Sequence, residues 1–274
     1  MTINCKGSLI DLSTPKVMGI LNLTPDSFYD GGAYKNEYDI LKQVEKMLQE
    51  GATFIDLGAY SSRPSSDHIT MQEEEKRVLP VVELLQNKFP DCILSIDTFR
   101  SKIAKSCIDI GAAIINDISA GNLDTDMIPM IGELKVPYIM MHMVGTPQTM
   151  KSLHQYDLLV KDIQLYFSKK IADARKNGIY DLIIDPGFGF SKNVQQNYEL
   201  LKELEMLKLH DLPILTGISR KSMIYKILDI NPAESLNGTT VLNTIALLNG
   251  SSILRVHDVK EAMECISLMN IYHK

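Results

Sequence analysis

The chain has 274 residues, of which 45% are hydrophobic and 23% are charged, and its net charge is -6. These values are typical of a soluble globular protein, and the acidic balance argues against general binding of nucleic acid. The sequence has neither a long apolar stretch nor a charged-then-apolar leader, so we expect no membrane span and no secretion. Four scattered cysteines without a C-x-x-C pair favour reduced thiols in the cytoplasm over a disulfide frame or a zinc site.

Residues 1–12 alternate around Gly7 and predict a hairpin that closes the bottom of the domain. Eight short apolar runs follow, and nearly every one ends in residues that can do chemistry. They are VMGILN (17–22), FIDLGA (54–59), LSIDT (94–98), IINDIS (114–119), YIMMHM (138–143), LIIDPG (182–187), ILTGIS (214–219) and ILRVHD (253–258). Because each run precedes a longer amphipathic segment, the pattern predicts strand–helix units around a buried parallel sheet. Eight such units predict a single-domain (β/α)8 TIM barrel over residues 1–274, with the active site at the C-terminal ends of the strands.

The segments between the runs predict helices and two long loops. Helical periodicity covers residues 37–50, 72–88, 157–177, 193–208 and 258–270. Pro80 is expected to kink or divide the second of these helices. Two turn-rich connections, 23–36 and 60–71, leave the predicted catalytic rim, where long loops tend to act as lids.

Three runs bring carboxylate or amide groups to this rim: Asp97, Asn116 and Asp185. Singly, each has a plain alternative, since Asp–Thr often caps a helix and Asp–Pro–Gly often makes a turn. Asn116 shares a face with Ile114, so we expect it, and not Asp117, to point into the barrel. Together the three groups suit a neutral ligand rich in N–H donors, such as the aminopyrimidine edge of a pterin or guanine. A sugar is the alternative ligand.

The cationic groups gather on the last two runs. Arg255 and His257 are two residues apart and so face the same way. Residues 219–222 (SRKS) follow the seventh run at a predicted helix start, where backbone N–H groups favour anions. Arg63, on the second loop, is a further candidate, and the alternatives are a structural histidine, an arginine paired with a rim carboxylate and a solvated loop arginine. The combination predicts a donor-rich planar ligand beside a phosphate group.

Eight motifs in order along the chain resemble those of the dihydropteroate synthase family of pterin-binding enzymes. They are MGILNLTPDSFYDGG (18–32), SSRP (61–64), SIDTFR (95–100), NDISAG (116–121), MHMVGTPQTM (141–150), IDPGFGFSKNVQQNYELL (184–201), GISRKSM (217–223) and RVHDV (255–259). The resemblance implies an alkyl transferase of folate biosynthesis. It joins 6-hydroxymethyl-7,8-dihydropterin diphosphate to 4-aminobenzoate, giving 7,8-dihydropteroate and diphosphate. Sulfonamides, which imitate aminobenzoate, are the inhibitors that it implies.

The resemblance also implies a role for each matching residue. Asp97, Lys221 and Arg63 would be catalytic. The pterin would contact Asp97, Asn116, Asp185, Lys221 and Arg255. The diphosphate would contact Asn22, Arg63, Arg255 and His257, with Asn22 as a ligand of Mg²⁺. The aminobenzoate would contact Phe28, Ser62, Pro64 and Ser222. A homodimer formed through outer helices, including the apolar 236–248 segment, is the expected assembly.

The second loop departs from the family pattern, which there reads Gly-Glu-Ser-Thr-Arg-Pro-Gly. Tyr60 stands in place of the glutamate and Ser65 in place of the last glycine. The change removes a carboxylate partner for Arg63 and bears on the fit of aminobenzoate and sulfonamides. Two other hypotheses follow from the same motifs: a pterin-binding methyltransferase domain, which needs no diphosphate clamp, and a non-enzymatic homologue with a disabled second loop.

Overall fold

Eight parallel strands form a barrel, as the eight apolar runs predicted. The computed structural model describes residues 1–23, 33–60, 69–150 and 153–272. The barrel strands are β3 (Lys16–Asn22), β4 (Phe54–Gly58), β5 (Ile93–Asp97), β6 (Ile114–Asp117), β7 (Tyr138–Met141), β8 (Leu182–Asp185), β9 (Leu215–Thr216) and β10 (Ile253–Val256). Their order is β8-β7-β6-β5-β4-β3-β10-β9. A parallel bridge between Ile184 and Ile214 joins the two ends, so the ring is nearly closed.

Helices follow the strands and surround the barrel. They are α1 (Ala33–Gln49), α2 (Met71–Lys88), α3 (Ser101–Ile110), α4 (Met127–Leu134), α5 (Leu159–Lys176), α6 (Val194–Lys202), α7 (Ser222–Leu228), α8 (Leu236–Leu248) and α9 (Val259–Tyr272). The helical periodicity marked α1, α2, α5, α6 and α9, and the structure adds α3, α4, α7 and α8. Of the two expected effects of Pro80, a kink or a division of α2, the division is wrong, because the helix is continuous over Met71–Lys88. Pro80 lies on the exposed side of a continuous helix, where water can reach the carbonyl that it leaves unpaired.

An antiparallel hairpin covers the N-terminal end of the barrel. It pairs β1 (Thr2–Cys5) with β2 (Ser8–Asp11) through a turn at Lys6 and Gly7, both of which have positive φ, as a type I′ turn requires. Ile3, Cys5 and Leu12 pack against a buried layer inside the barrel that we call the apolar floor. The floor consists of Met18, Phe54, Ile114, Ile139, Ile183, Leu215 and Ile253.

The alternation of side chains along each strand builds the interior above the floor. Intervening residues such as Val17, Ile55 and Ile115 point outward and pack in the core between strands and helices. Two residues beyond the floor, five strands carry polar groups, which we call the polar layer: Asp56, Ser95, Asn116, Asp185 and Arg255. Two residues further on lie Asn22, Asp97 and His257, at the rim. None of the helices in the described ranges combines the length and apolar character needed to cross a membrane.

Candidate active site

Asp97, Asn116 and Arg255 lie close together inside the C-terminal end of the barrel. Arg255 Nη2 donates to Asp97 Oδ2 at 2.8 Å, and Arg255 Nε donates to Asp56 Oδ2 at 2.6 Å. The same Asp56 oxygen accepts Asn116 Nδ2 at 3.0 Å. Asn116 therefore points inward as expected, whereas Asp117 points outward and accepts bonds from the Ser119 and Gly121 backbone and from Tyr138.

Burial and charge oppose each other in this group. Burial raises the pKa of Asp97 to about 7, although Arg255 acts in the other direction. Burial works against the charge of Arg255, but Asp56 and Asp97 outweigh it and hold the pKa of Arg255 above its usual value. With two carboxylates against one guanidinium, the cluster has acceptor capacity for a ligand rich in N–H groups.

Asp185 at the end of β8 and Lys221 beyond β9 lie near each other and within electrostatic reach of Arg255. Asp185 Oδ1 accepts the Gly187 backbone N–H at 2.8 Å, and burial raises the pKa of the Asp185 carboxyl while Lys221 opposes that rise. Lys221 Nζ donates to the Phe188 carbonyl and lies 4.7 Å from the centroid of the Phe190 ring. Burial lowers the pKa of Lys221 to about 8, with Asp185 acting against it. An aromatic ring, a carboxylate and an ammonium group thus share one wall.

A second buried lysine, which the sequence did not single out, supports that wall. Lys192 Nζ donates to the carbonyls of Gly187 and Phe190, both at 3.1 Å, and lies 3.0 Å from His142 Nδ1. Burial lowers the pKa of Lys192 to about 7, and burial together with Lys192 depresses the pKa of His142 well below its usual value. The neutral histidine ring can therefore accept a hydrogen bond from the lysine N–H through its unprotonated nitrogen. The position of Lys192 within the GFGFSK motif was the available signal.

Gly187 makes the tight turn that brings this segment under the pocket. Its φ is +72°, and a Cβ at this position would lie 2.1 Å from the His142 carbonyl oxygen. Only glycine combines this backbone conformation with so close an approach. The Asp–Pro–Gly sequence is thus a turn, and the same turn donates its N–H to Asp185.

On the predicted diphosphate side, His257 and Arg220 both have partners within the protein. His257 Nδ1 lies 3.0 Å from Ser219 Oγ, which also accepts the His257 backbone N–H at 3.2 Å. Arg220, part of the SRKS segment, instead makes a bidentate ion pair with Asp258 at 3.0 and 2.6 Å. Ser222 begins α7, a helix of seven residues. The charge of Arg220 is therefore already neutralised within the protein.

Tyr60, the residue that replaces the family's glutamate, is buried just beyond the end of β4, in a small apolar cluster with Phe99. Its ring meets Phe99 edge-on, with 5.0 Å between centroids, and Arg100 Cζ lies 5.6 Å from the Tyr60 centroid. The hydroxyl accepts a hydrogen bond from Gln148 Nε2 at 3.0 Å. Arg100 in turn pairs with the buried Glu74.

Of the other predicted site residues, Phe28, Ser62, Arg63 and Pro64 lie outside the described residues, as does Ser65.

Asn22 ends β3 beside Gly58 of β4 and is half-buried at the rim. Within the described residues, no group of three or more His, Cys, Asp or Glu side chains is arranged to hold a metal ion. A single amide oxygen is compatible with Mg²⁺ that arrives on a diphosphate, because this ion is usually held by one or two protein groups together with substrate phosphates.

The barrel and its polar layer define a class of protein, the (β/α)8-barrel enzymes that bind a small polar ligand at the C-terminal ends of the strands. A family model described as pterin binding enzyme matches residues 18–257. Dihydropteroate synthase from Escherichia coli K12 is 40% identical over 271 residues, which cover 98% of this chain and 95% of the relative. The chain therefore belongs to the dihydropteroate synthase family of pterin-binding enzymes, as the motifs predicted.

Solved structures agree over the whole chain. A Yersinia pestis dihydropteroate synthase in a sulfonamide drug complex is 40% identical and has a TM-score of 0.93, covering 100% of this chain and 99% of that one. A Xanthomonas albilineans dihydropteroate synthase with 4-aminobenzoic acid is 32% identical and has a TM-score of 0.92, covering 99% of this chain and 98% of that one. The barrel and the family are thus confirmed by independent comparisons.

Proposed function

We propose that this chain is a dihydropteroate synthase, which condenses 6-hydroxymethyl-7,8-dihydropterin diphosphate with 4-aminobenzoate to give 7,8-dihydropteroate and diphosphate. The observation that carries the proposal is the convergence of Asp97, Asn116, Asp185, Lys221 and Arg255 inside the C-terminal end of the barrel. Carboxylate and amide acceptors suit the N–H groups of a pterin. The neighbouring Arg255 and His257 suit its diphosphate.

The proposed chemistry is a substitution in which the leaving group departs first. The bond between the pterin methylene carbon and the diphosphate oxygen breaks, and its electron pair goes to the diphosphate. The carboxylates of Asp97 and Asp185 stabilise the delocalised pterin cation in a pocket from which water is excluded. The amine lone pair of aminobenzoate then forms the C–N bond, and the surplus proton leaves the nitrogen. Because an arylamine is uncharged at neutral pH, no strong general base is needed.

Charge on the departing diphosphate grows near His257 and Arg255, and we propose that Arg63 joins them. Asn22 would hold Mg²⁺ together with the diphosphate oxygens. When bound, the ion would neutralise part of the developing charge. Phe28, Ser62, Pro64 and Ser222 are proposed to contact aminobenzoate, as the family motifs imply. Relatives from Xanthomonas albilineans and Thermus thermophilus bind 4-aminobenzoate, which supports this substrate for the present chain.

The proposed assembly is a homodimer formed through α8 and α9. These two helices pack together, and they expose large apolar side chains: Val241, Leu248, Leu268, Ile271 and Tyr272. Apolar side chains grouped on one surface favour contact with a second copy. Sedimentation equilibrium tests this proposal, since the parent should be dimeric and Leu268→Lys should weaken the dimer. A monomeric parent at micromolar concentration would contradict it.

We place the chain in the cytoplasm, because its thiols suit a reducing compartment. All four cysteines are buried and unpaired. Burial raises the pKa of Cys5, Cys92 and Cys107 to about 12, which keeps these thiols protonated and unreactive.

The decisive experiment measures dihydropteroate formation from the two purified substrates, with and without Mg²⁺. Product should form only when both substrates are present, and chelation of Mg²⁺ should suppress it. Steady diphosphate release without aminobenzoate would contradict the proposed synthase.

Arg63→Ala separates an enzyme from a protein that only binds pterin. Turnover should fall far more than pterin affinity, because Arg63 is proposed to act on the leaving group. Arg175→Ala, at the exposed C-terminal end of α5, is the matched control and should behave like the parent. Unchanged turnover in Arg63→Ala would remove the role proposed for that residue.

A further inference from the structure

Asp56 on β4 is a wholly buried carboxylate that receives three donors from three other strands. Its Oδ1 accepts Ser95 Oγ at 2.6 Å, and its Oδ2 accepts Asn116 Nδ2 at 3.0 Å and Arg255 Nε at 2.6 Å. The residue has no exposed surface, so it is closed off from solvent. We infer that Asp56 is a positioning residue that fixes Asn116 and Arg255 for the pterin. This inference rests on the proposed function.

Asp56 determines which end of the Asn116 amide is available to a ligand. An ionised carboxylate can only accept hydrogen bonds, so it holds the amide nitrogen and excludes the flipped amide. Asn116 Oδ1 is then the atom left to accept a bond. Asp56 thereby converts a side chain that can both donate and accept into an acceptor, which matches a donor-rich ring.

Asp56 also gives Arg255 a partner that does not compete for the ligand. Arg255 is shared between Asp56, which is fully buried, and Asp97, whose side chain is 18% exposed. A ligand that donates N–H groups to Asp97 competes with Arg255 for that carboxylate. Because Asp56 retains the guanidinium by its Nε, Asp97 can turn to the ligand without leaving Arg255 buried and unpaired.

Asp56→Asn tests this role, since it keeps the size of the side chain and removes its charge. The new amide can still donate to Ser95 Oγ and accept from the other two groups, so packing is retained. Arg255 is then left with Asp97 as its charged partner, and a pterin must break that pair to bind. The affinity for 6-hydroxymethylpterin, measured by calorimetry, should fall by about tenfold to a hundredfold. The KM for aminobenzoate should stay unchanged.

Ser95→Ala is the matched control, because it removes a buried hydrogen bond to Asp56 but leaves the carboxylate charged. It should bind the pterin like the parent, while urea unfolding shows whether the two variants are destabilised to a similar extent. Equal pterin affinity in Asp56→Asn and the parent would overturn the inference. An equal loss of affinity in both variants would also overturn it, because the role would then be structural. A parent that fails to bind 6-hydroxymethylpterin would instead contradict the proposed function.

If Asp56→Asn does not fold, Asn116→Asp provides the test. The new carboxyl faces Asp56 and lies near Asp97 and Arg255, so two acidic groups share one short contact and retain a proton between them. Protonated, it donates to Asp56 as the amide does. The ratio of parent to variant affinity for 6-hydroxymethylpterin should therefore shrink as pH falls from about 8 to about 6. A ratio that is constant over this range would overturn the inference.

Discussion

Tyr60 marks the clearest departure of this chain from its family, and restoring the usual residue with Tyr60→Glu should destabilise the protein. The tyrosine is buried, with an edge-on contact to Phe99 and a hydrogen bond from Gln148. Removing a buried aromatic ring costs about 3–5 kcal/mol, of which the pairing of the two rings contributes about 0.5–1.5 kcal/mol. The glutamate stem fills part of the space, but it places a second carboxylate near Arg100, which Glu74 already neutralises. We expect a loss of about 3 kcal/mol or more in the free energy of unfolding.

Urea unfolding, monitored by circular dichroism, measures this loss of free energy. Two companion variants separate the contributions of the hydroxyl and of the charge near Arg100. Tyr60→Phe keeps the ring but removes the hydroxyl that accepts the bond from Gln148, and it should cost about 0.5–1.5 kcal/mol. Glu74→Gln frees Arg100 to pair with the new carboxylate, so the double variant should be less destabilised than the sum of the two single changes. If the losses of the two single variants add strictly in the double variant, or if Tyr60→Glu is as stable as the parent, then Arg100 does not balance the charge of both carboxylates.

Three further changes test the pocket and its support. In the parent, we expect pterin affinity to decline as pH rises through about 8, because Lys221 then loses its proton. Lys221→Arg should abolish this decline, and a decline that persists in the variant would contradict the role of the Lys221 charge. Tyr138→Phe leaves the buried Asp117 short of one donor and should cost about 1–3 kcal/mol in urea unfolding. Gly187→Ala should cost more than Gly178→Ala, because both have positive φ but only Gly187 has a backbone oxygen 2.1 Å from the added Cβ. Equal melting temperatures for the two alanine variants would show that the turn at Gly187 relaxes freely.

The fold was predictable from sequence because its evidence is local. Each strand is a short apolar run, and the alternation of side chains assigned Asn116 to the interior through Ile114. Applied to the second run, the same alternation places Asp56 in phase with Phe54. This phase is the local signal that predicts an inward-facing carboxylate on β4, whereas the partners of that carboxylate lie on other strands.

Sequence by itself determined the barrel, the family and the set of polar residues at the strand ends, since these depend on periodicity and on ordered motifs. Only the tertiary structure decided how their charges are shared. Asp56 and Arg255 are 199 residues apart, and Arg220 finds Asp258 only because the ends of β9 and β10 are adjacent. Closure of the barrel brings such distant residues together. A charged side chain that the sequence suggests is free to bind a ligand can therefore already be neutralised by another residue of the protein. The surroundings of Lys192 were likewise decided by the tertiary structure, because its partners are carbonyls and a histidine that meet only when β7 and β8 pair.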